Sequence, residues 1–136
     1  MNLQAIEAAL ARLPESYEPL LLTFCRPPLK VIGGAVVIAT DDRRESRVDL
    51  TDGRVSAVDP KSDLPALFVN SSMSQLEASV DAYREYAGRV RFADDDDATR
   101  LVEKLRRRLE DLDGNANANP EGWWALILEQ AHAGLL

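Results

Sequence analysis

The sequence predicts an α+β fold: a mainly antiparallel sheet over about residues 29–69, one helix before it and three after it. Three observations predict this. Short β-branched and alternating stretches, broken by glycine and charged turns, fill residues 29–69. A 3-and-4 apolar spacing takes over at Met73 and returns in each later segment. Between the two patterns, Leu67-Phe68-Val69 stops at Asn70-Ser71-Ser72, and Met73-Ser74-Gln75-Leu76 follows at once. That junction reads as a strand delivered straight into a capped helix, with Ser72 and Gln75 at capping-box spacing.

The first element is a helix over residues 2–13. Leu3, Ile6, Leu10 and Leu13 share one face with Ala9 beside them, and Asn2 suits the cap. Pro14 ends it by pushing Leu13 out of the helical region. Residues 15–24 fit helix or buried strand equally, because Leu20-Leu21-Leu22-Thr23-Phe24 is too short to show a period. Pro27-Pro28 then forces an extended break.

In the sheet, Ala35-Val36-Val37-Ile38-Ala39 suits a central strand. Residues 41–45 make a charged turn. Arg47-Val48-Asp49-Leu50-Thr51 alternates as a half-exposed strand does. Asp52-Gly53 is a two-residue hairpin signal, since both positions tolerate positive φ. Arg54-Val55-Ser56-Ala57-Val58 returns, residues 59–63 loop, and Ala66-Leu67-Phe68-Val69 closes the sheet.

The first C-terminal helix carries Met73, Leu76, Val80, Tyr83 and Ala87 on one face, and Gly88 is placed to stop it. The second runs from about residues 94–97 to Asp113, with Ala98, Leu101, Val102, Leu105, Leu109 and Leu112 as its apolar stripe. Residues 114–119 read as a flexible polar loop. Pro120 suits the first turn of the last helix, with Asn119 as cap and Trp124, Ile127, Leu128 and Ala131 facing inward. No repeat or second boundary is visible, so residues 1–136 read as a single domain.

The chain has 23 acidic and 16 basic residues, a net charge of −7. Such a surface disfavours nucleic acid and anionic membranes and favours a basic protein partner. The excess is uneven: residues 94–113 hold eight acids and five bases, residues 114–136 two acids and no base. The first residues lack a basic region and a long apolar run, so no secretion signal is read there and a cytoplasmic location is expected. No stretch approaches the ~20 apolar residues of a membrane span.

Candidate chemistry is sparse. Cys25 is the only cysteine and reads as a small buried hydrophobe. The acids Asp94, Asp95, Asp96 and Asp97 lack the spacing and turn glycine of a calcium loop, and fit a helix start facing the positive end of the macrodipole. Gly33-Gly34 precedes a strand, not a helix, so a turn is expected there instead of a phosphate loop. His132 is the only histidine and falls in the last turn of a helix, without partners for a zinc site. No G-x-S-x-G elbow exists, and Ser71 and Ser72 are explained as caps. The run Arg106-Arg107-Arg108 is flanked by acids and reads as local pairing such as Glu103 with Arg107. Trp123 and Trp124 point about 100° apart on a helix. One ring is expected in the core; the other covers a seam or anchors a partner. No catalytic, cofactor or metal site is expected.

The order of these features resembles the SUKH superfamily of immunity proteins, named for its Smi/Knr-type members, and most resembles its fourth family. The resemblance rests on Val31-Ile32-Gly33-Gly34, on Leu50-Thr51-Asp52-Gly53-Arg54-Val55, on Phe68-Val69-Asn70-Ser71-Ser72 before a helix, on the acidic helix that follows, and on Trp123-Trp124 with Ile127-Leu128-Glu129-Gln130. It implies helices packed on a mainly antiparallel sheet. It also implies a non-enzymatic protein that binds and neutralises a cognate toxin, a nuclease or nucleic-acid deaminase with a basic surface, by steric and electrostatic occlusion. On charge clustering, the expected contacts are Asp41, Asp42, Glu45, Asp94, Asp95, Asp96 and Asp97, with Trp123 as an anchor. The alternative is a regulatory or scaffolding adaptor that binds a resident cellular protein.

Overall fold

A computed structural model describes residues 2–134. Helix α1 (Leu3–Arg12) is capped by Asn2, whose Oδ1 accepts the Ala5 N–H at 2.7 Å. It ends at Leu13, extended ahead of Pro14. Arg26 donates to the carbonyls of Leu10 and Leu13 at 3.2 and 3.1 Å, a cation satisfying the open end of a helix. Ile6, Ala9 and Leu10 are buried, whereas Leu3 is exposed, so the apolar face meets the core only from its second turn.

The stretch 15–24 contains two strands around one tight turn. These are β1 (Ser16–Tyr17), a 3₁₀ turn over Glu18–Leu20, and β2 (Leu22–Phe24). Leu21 leaves that turn in the left-handed region, φ 55° and ψ 28°, an uncommon conformation for a branched side chain. Five strands follow: β3 (Val31–Ile32), β4 (Ala35–Thr40), β5 (Glu45–Asp49), β6 (Val55–Val58) and β7 (Leu67–Asn70). The sheet is antiparallel in the order β1-β2-β4-β5-β6-β7, with β3 also pairing with β4. Gly33, at φ 54°, turns β3 into β4, where a turn was expected.

The hairpin at Asp52-Gly53 forms, but not as a two-residue turn. Strand β5 stops at Asp49, and residues 50–53 make one helical turn closed by Gly53 N–H on the Asp49 carbonyl at 2.8 Å. Asp49 Oδ1 accepts the Thr51 N–H at 2.7 Å and holds that turn right-handed. Only Gly53, at φ 79°, crosses to positive φ.

Val36, Ile38, Val48, Val55, Ala57 and Val69 face a single core shared with the helices. The row Val37, Arg47, Ser56, paired across β4, β5 and β6, turns the other way, as period-2 alternation requires. There Arg47 pairs with Glu45 at 2.7 Å, and Arg54 lies over the Phe68 ring at 4.4 Å.

Helix α2 (Met73–Val90) runs through Gly88 instead of stopping at it. A lone glycine inside a helix costs only about 1 kcal/mol, and Val90 packs against the core beyond it. Helix α3 (Asp95–Leu112) returns along α2, burying Val102, Leu105 and Leu109. The segment expected as a loop is a short helix, α4 (Gly114–Ala118), because Asp113 caps it by accepting the Ala116 N–H at 3.3 Å and Ala116 is fully buried. Helix α5 (Trp123–His132) starts later than expected, with Gly122 at its cap. Asn119 caps a turn instead, accepting the Glu121 N–H at 2.9 Å and keeping Pro120 ahead of the helix.

Candidate functional site

The polar centre of the molecule is built on the Asn70-Ser71-Ser72 junction. Asn70 and Ser79 are fully buried, and Asp113 is 2% exposed. Asn70 Nδ2 donates to Asp113 Oδ2 at 3.0 Å and to Ser79 Oγ at 3.3 Å, while its Oδ1 accepts Trp124 Nε1–H at 2.9 Å. The Ser71 N–H and O–H both donate to Asp113 at 2.7 Å. Burial pushes the Asp113 carboxyl up, but these donors and the Ala116 N–H outweigh it and hold the group below its ordinary value. Ser72 caps α2 by accepting the Gln75 N–H at 3.2 Å. The Gln75 amide reaches across to the last carbonyl of α3, Leu112, at 3.1 Å. Each polar atom has a structural partner, so this cluster fastens β7, α2, α4 and α5 together and holds no free reactive group.

Two surfaces receive the expected contact residues. The first brings together Asp41, Asp42 and Trp123 around an open pocket of about 320 Å³. Its walls are the 3₁₀ turn (Pro19, Leu20, Leu21), the β4–β5 turn (residues 41–44), Leu67, and the α5 residues Trp123, Leu126, Ile127 and Gln130. Neither tryptophan is exposed. Trp124 is fully buried, and Trp123, 7% exposed, meets it edge-on at 4.7 Å and lines the pocket. Asp41 is occupied by its own turn, accepting the N–H groups of Arg43 and Arg44 at 2.8 and 2.6 Å. Arg43 is drawn to Asp59 at 3.3 Å, whose carboxyl is held low by the Lys61 N–H, against burial and with help from Arg43. Glu45 lies outside the pocket lining and is paired with Arg47.

The second surface is the α2–α3 turn. Asp94 caps α3 by accepting the Asp97 N–H at 2.8 Å, and Asp97 pairs with Arg100 at 3.0 Å. Asp95 and Asp96 are exposed and have no ion-pair partner among the described residues. The helix-start arrangement expected for these acids is therefore present. Phe92 beside them is 83% exposed, with the Arg91 guanidinium 5.1 Å from its ring centre. The 18-residue helix α3 separates this turn from Asp113 by about 27 Å. The acids of the two turns line different pockets, Asp41 and Asp42 in one and Asp97 with Phe92 in the other.

Sequence reasoning did not single out Leu21, Leu126 and Arg44, which line the first pocket, or Phe92, exposed beside the α3 acids. Leu126 was within reach, three residues after Trp123 on the same helix face. Nothing in the sequence marks a left-handed Leu21. Glu103 pairs with Arg106, not with Arg107, and Arg108 reaches Glu85 on α2. Cys25 is only half-buried, and its thiol is pushed up by burial and by Glu45, against Arg26. Among the described residues no group of His, Cys, Asp and Glu is arranged to hold a metal ion, and no helix is long and apolar enough to cross a membrane.

The fold and its buried polar fastening define an α+β protein of one antiparallel sheet backed by helices. The chain belongs to the SUKH-4 immunity protein family, whose family model matches residues 25–130, from the end of β2 through most of α5. Membership of an immunity protein family supports an immunity function and implies a cognate toxin as partner. Comparison with curated proteins and with solved structures returned no match.

Proposed function

We propose that this chain is a cytoplasmic, non-enzymatic immunity protein, a single domain that binds its cognate toxin and blocks it by steric and electrostatic occlusion. The observation that carries this reading is the family match over residues 25–130. The net charge of −7 supports a toxin with a basic surface, as a nuclease or nucleic-acid deaminase presents to its polyanionic substrate. The pocket face with Asp41, Asp42 and Trp123 is one contact region, and the exposed Asp95 and Asp96 on the α3 turn are the other. Asp94, Asp97 and Glu45 contribute to the negative field more than to direct contact, since each is already engaged. Long-range attraction sets the association rate, and apolar contact sets the dissociation rate.

Growth rescue tests this. Each open reading frame adjacent to the gene is induced alone in a bacterial host, then again with this protein co-expressed. The expected result is one toxic neighbour whose toxicity is relieved, with the two proteins co-purifying. Toxicity that persists despite soluble expression of both would sink the immunity reading and favour an adaptor for a resident protein.

A further inference from the structure

We infer that the 320 Å³ pocket between the 3₁₀ turn, the β4–β5 turn and α5 is a receptor for one bulky apolar side chain of the toxin, flanked there by a cation facing Asp42 and a carboxylate or carbonyl facing Arg44. This rests on the immunity reading and assigns it a polarity: the toxin supplies the anchor and this chain supplies the socket.

Three observations carry it. The first is exposed apolar surface at the rim. Leu21 is 62% exposed and Leu126 37%, on two different elements lining the same opening, whose other apolar lining residues Leu20, Trp123 and Ile127 are buried. Large side chains left in water around a concave apolar floor mark an interaction site. The second is conformational. Leu21 is the only described non-glycine residue at positive φ, so the chain holds this leucine outward in a conformation that costs energy. The third is charge. Asp41 is used up by its turn and Arg43 by Asp59, which leaves Asp42 and Arg44 on the rim without an ion-pair partner among the described residues. An apolar centre ringed by one free carboxylate and one free guanidinium matches the arrangement of interface hot spots, where desolvated anchors sit inside a polar rim.

Trp123 therefore acts as the socket floor, not as a protruding anchor. The pocket also joins two parts of the chain that differ in their relation to the family. Residues 25–130 supply the β4–β5 turn, Leu67 and α5, whereas Pro19, Leu20 and Leu21 lie before the matched span. The wall that carries Leu21 thus lies outside the matched span.

The probe is the toxin identified by growth rescue, titrated against the full-length protein. Leu126→Asp and Leu21→Asp are each expected to weaken binding about 30-fold or more, the hot-spot scale, with an unchanged melting temperature. Aspartate tolerates the left-handed region better than leucine, so Leu21→Asp does not threaten the fold. Asp42→Lys and Arg44→Glu are expected to weaken binding less, and most at low salt. As a measurement independent of folding, a photo-crosslinking phenylalanine analogue at position 126 is expected to capture the toxin. Wild-type affinity in both leucine variants, or capture from position 96 but not from 126, overturns the socket while leaving the immunity reading intact. Failure of the wild-type protein to neutralise or bind any neighbouring product overturns both.

Discussion

Asn70 and Asp113 lie 43 residues apart in the chain and meet inside it, Asn70 Nδ2 donating to Asp113 Oδ2 at 3.0 Å. Asp113 also receives both donors of Ser71 and the Ala116 N–H of α4. All these neighbours are donors, so only a carboxylate fits among them.

Asp113→Asn replaces one acceptor oxygen by an NH₂ group that faces donors. It is expected to lower stability by about 2–3 kcal/mol, the cost of leaving buried donors unmatched. Urea denaturation checks this: the midpoint falls while the slope is unchanged. A wild-type midpoint would show that the cluster is not holding the fold.

The same carboxylate makes part of the stability pH-dependent. Its folded value lies below the ordinary 3.8, so folding favours the ionised form. The contribution is therefore complete above about pH 4 and fades as the pH falls through the folded value. The stability gap between wild type and Asp113→Asn is expected to be constant from neutral pH to about pH 5 and to narrow below about pH 4. A gap that stays level into acid would contradict this.

Two glycines should respond in opposite directions. A Cβ on Gly122 meets the backbone carbonyls of Ala116 and Asn119 at 3.2 Å and of Phe68 at 3.4 Å, and backbone cannot step aside. Gly122→Ala is expected to cost about 1–3 kcal/mol. Gly88 lies in open space within α2, and Gly88→Ala is expected to gain up to about 1 kcal/mol. Thermal melting of the two variants side by side decides both.

Asp95→Lys with Asp96→Lys tests the second proposed contact region without touching the Asp94 cap or the Asp97–Arg100 pair. Association with the toxin is expected to slow about tenfold at low salt and to approach the wild-type rate at high salt. Equal rates at low salt would remove the α2–α3 turn from the interface.

Local chemistry made most of the fold readable. Asn2, Ser72 and Asp94 each announce a helix and each caps one. The alternation through Arg47, Val48 and Val55 gives the sheet and its faces. The failures come where a distant group decides a local outcome. Residues 114–119 look like a loop because Asp113, which caps them, reads only as the end of the preceding helix. Gly88 looks like a stop because the packing of Val90 beyond it is tertiary. Asn119 looks like a helix cap because the crowding that demands Gly122, from the carbonyls of Ala116 and Asn119 and of Phe68 on β7, exists only in the folded chain. The proposed contact residues were legible as charge, not as geometry. Asp41, Asp42 and Trp123 share a pocket that no spacing rule predicts, since its remaining wall comes from the stretch whose pattern was silent.

Trp123 and Trp124 are the chain's only tryptophans, and their rings sit 4.7 Å apart at 85°. Two indoles this close and this inclined share their excited states. All tryptophan emission from this chain, and any paired circular-dichroism band the two rings produce, thus originates between the pocket lining and the Asn70 hydrogen bond. The protein carries its own optical reporter at the proposed socket, and no label has to be added to watch it.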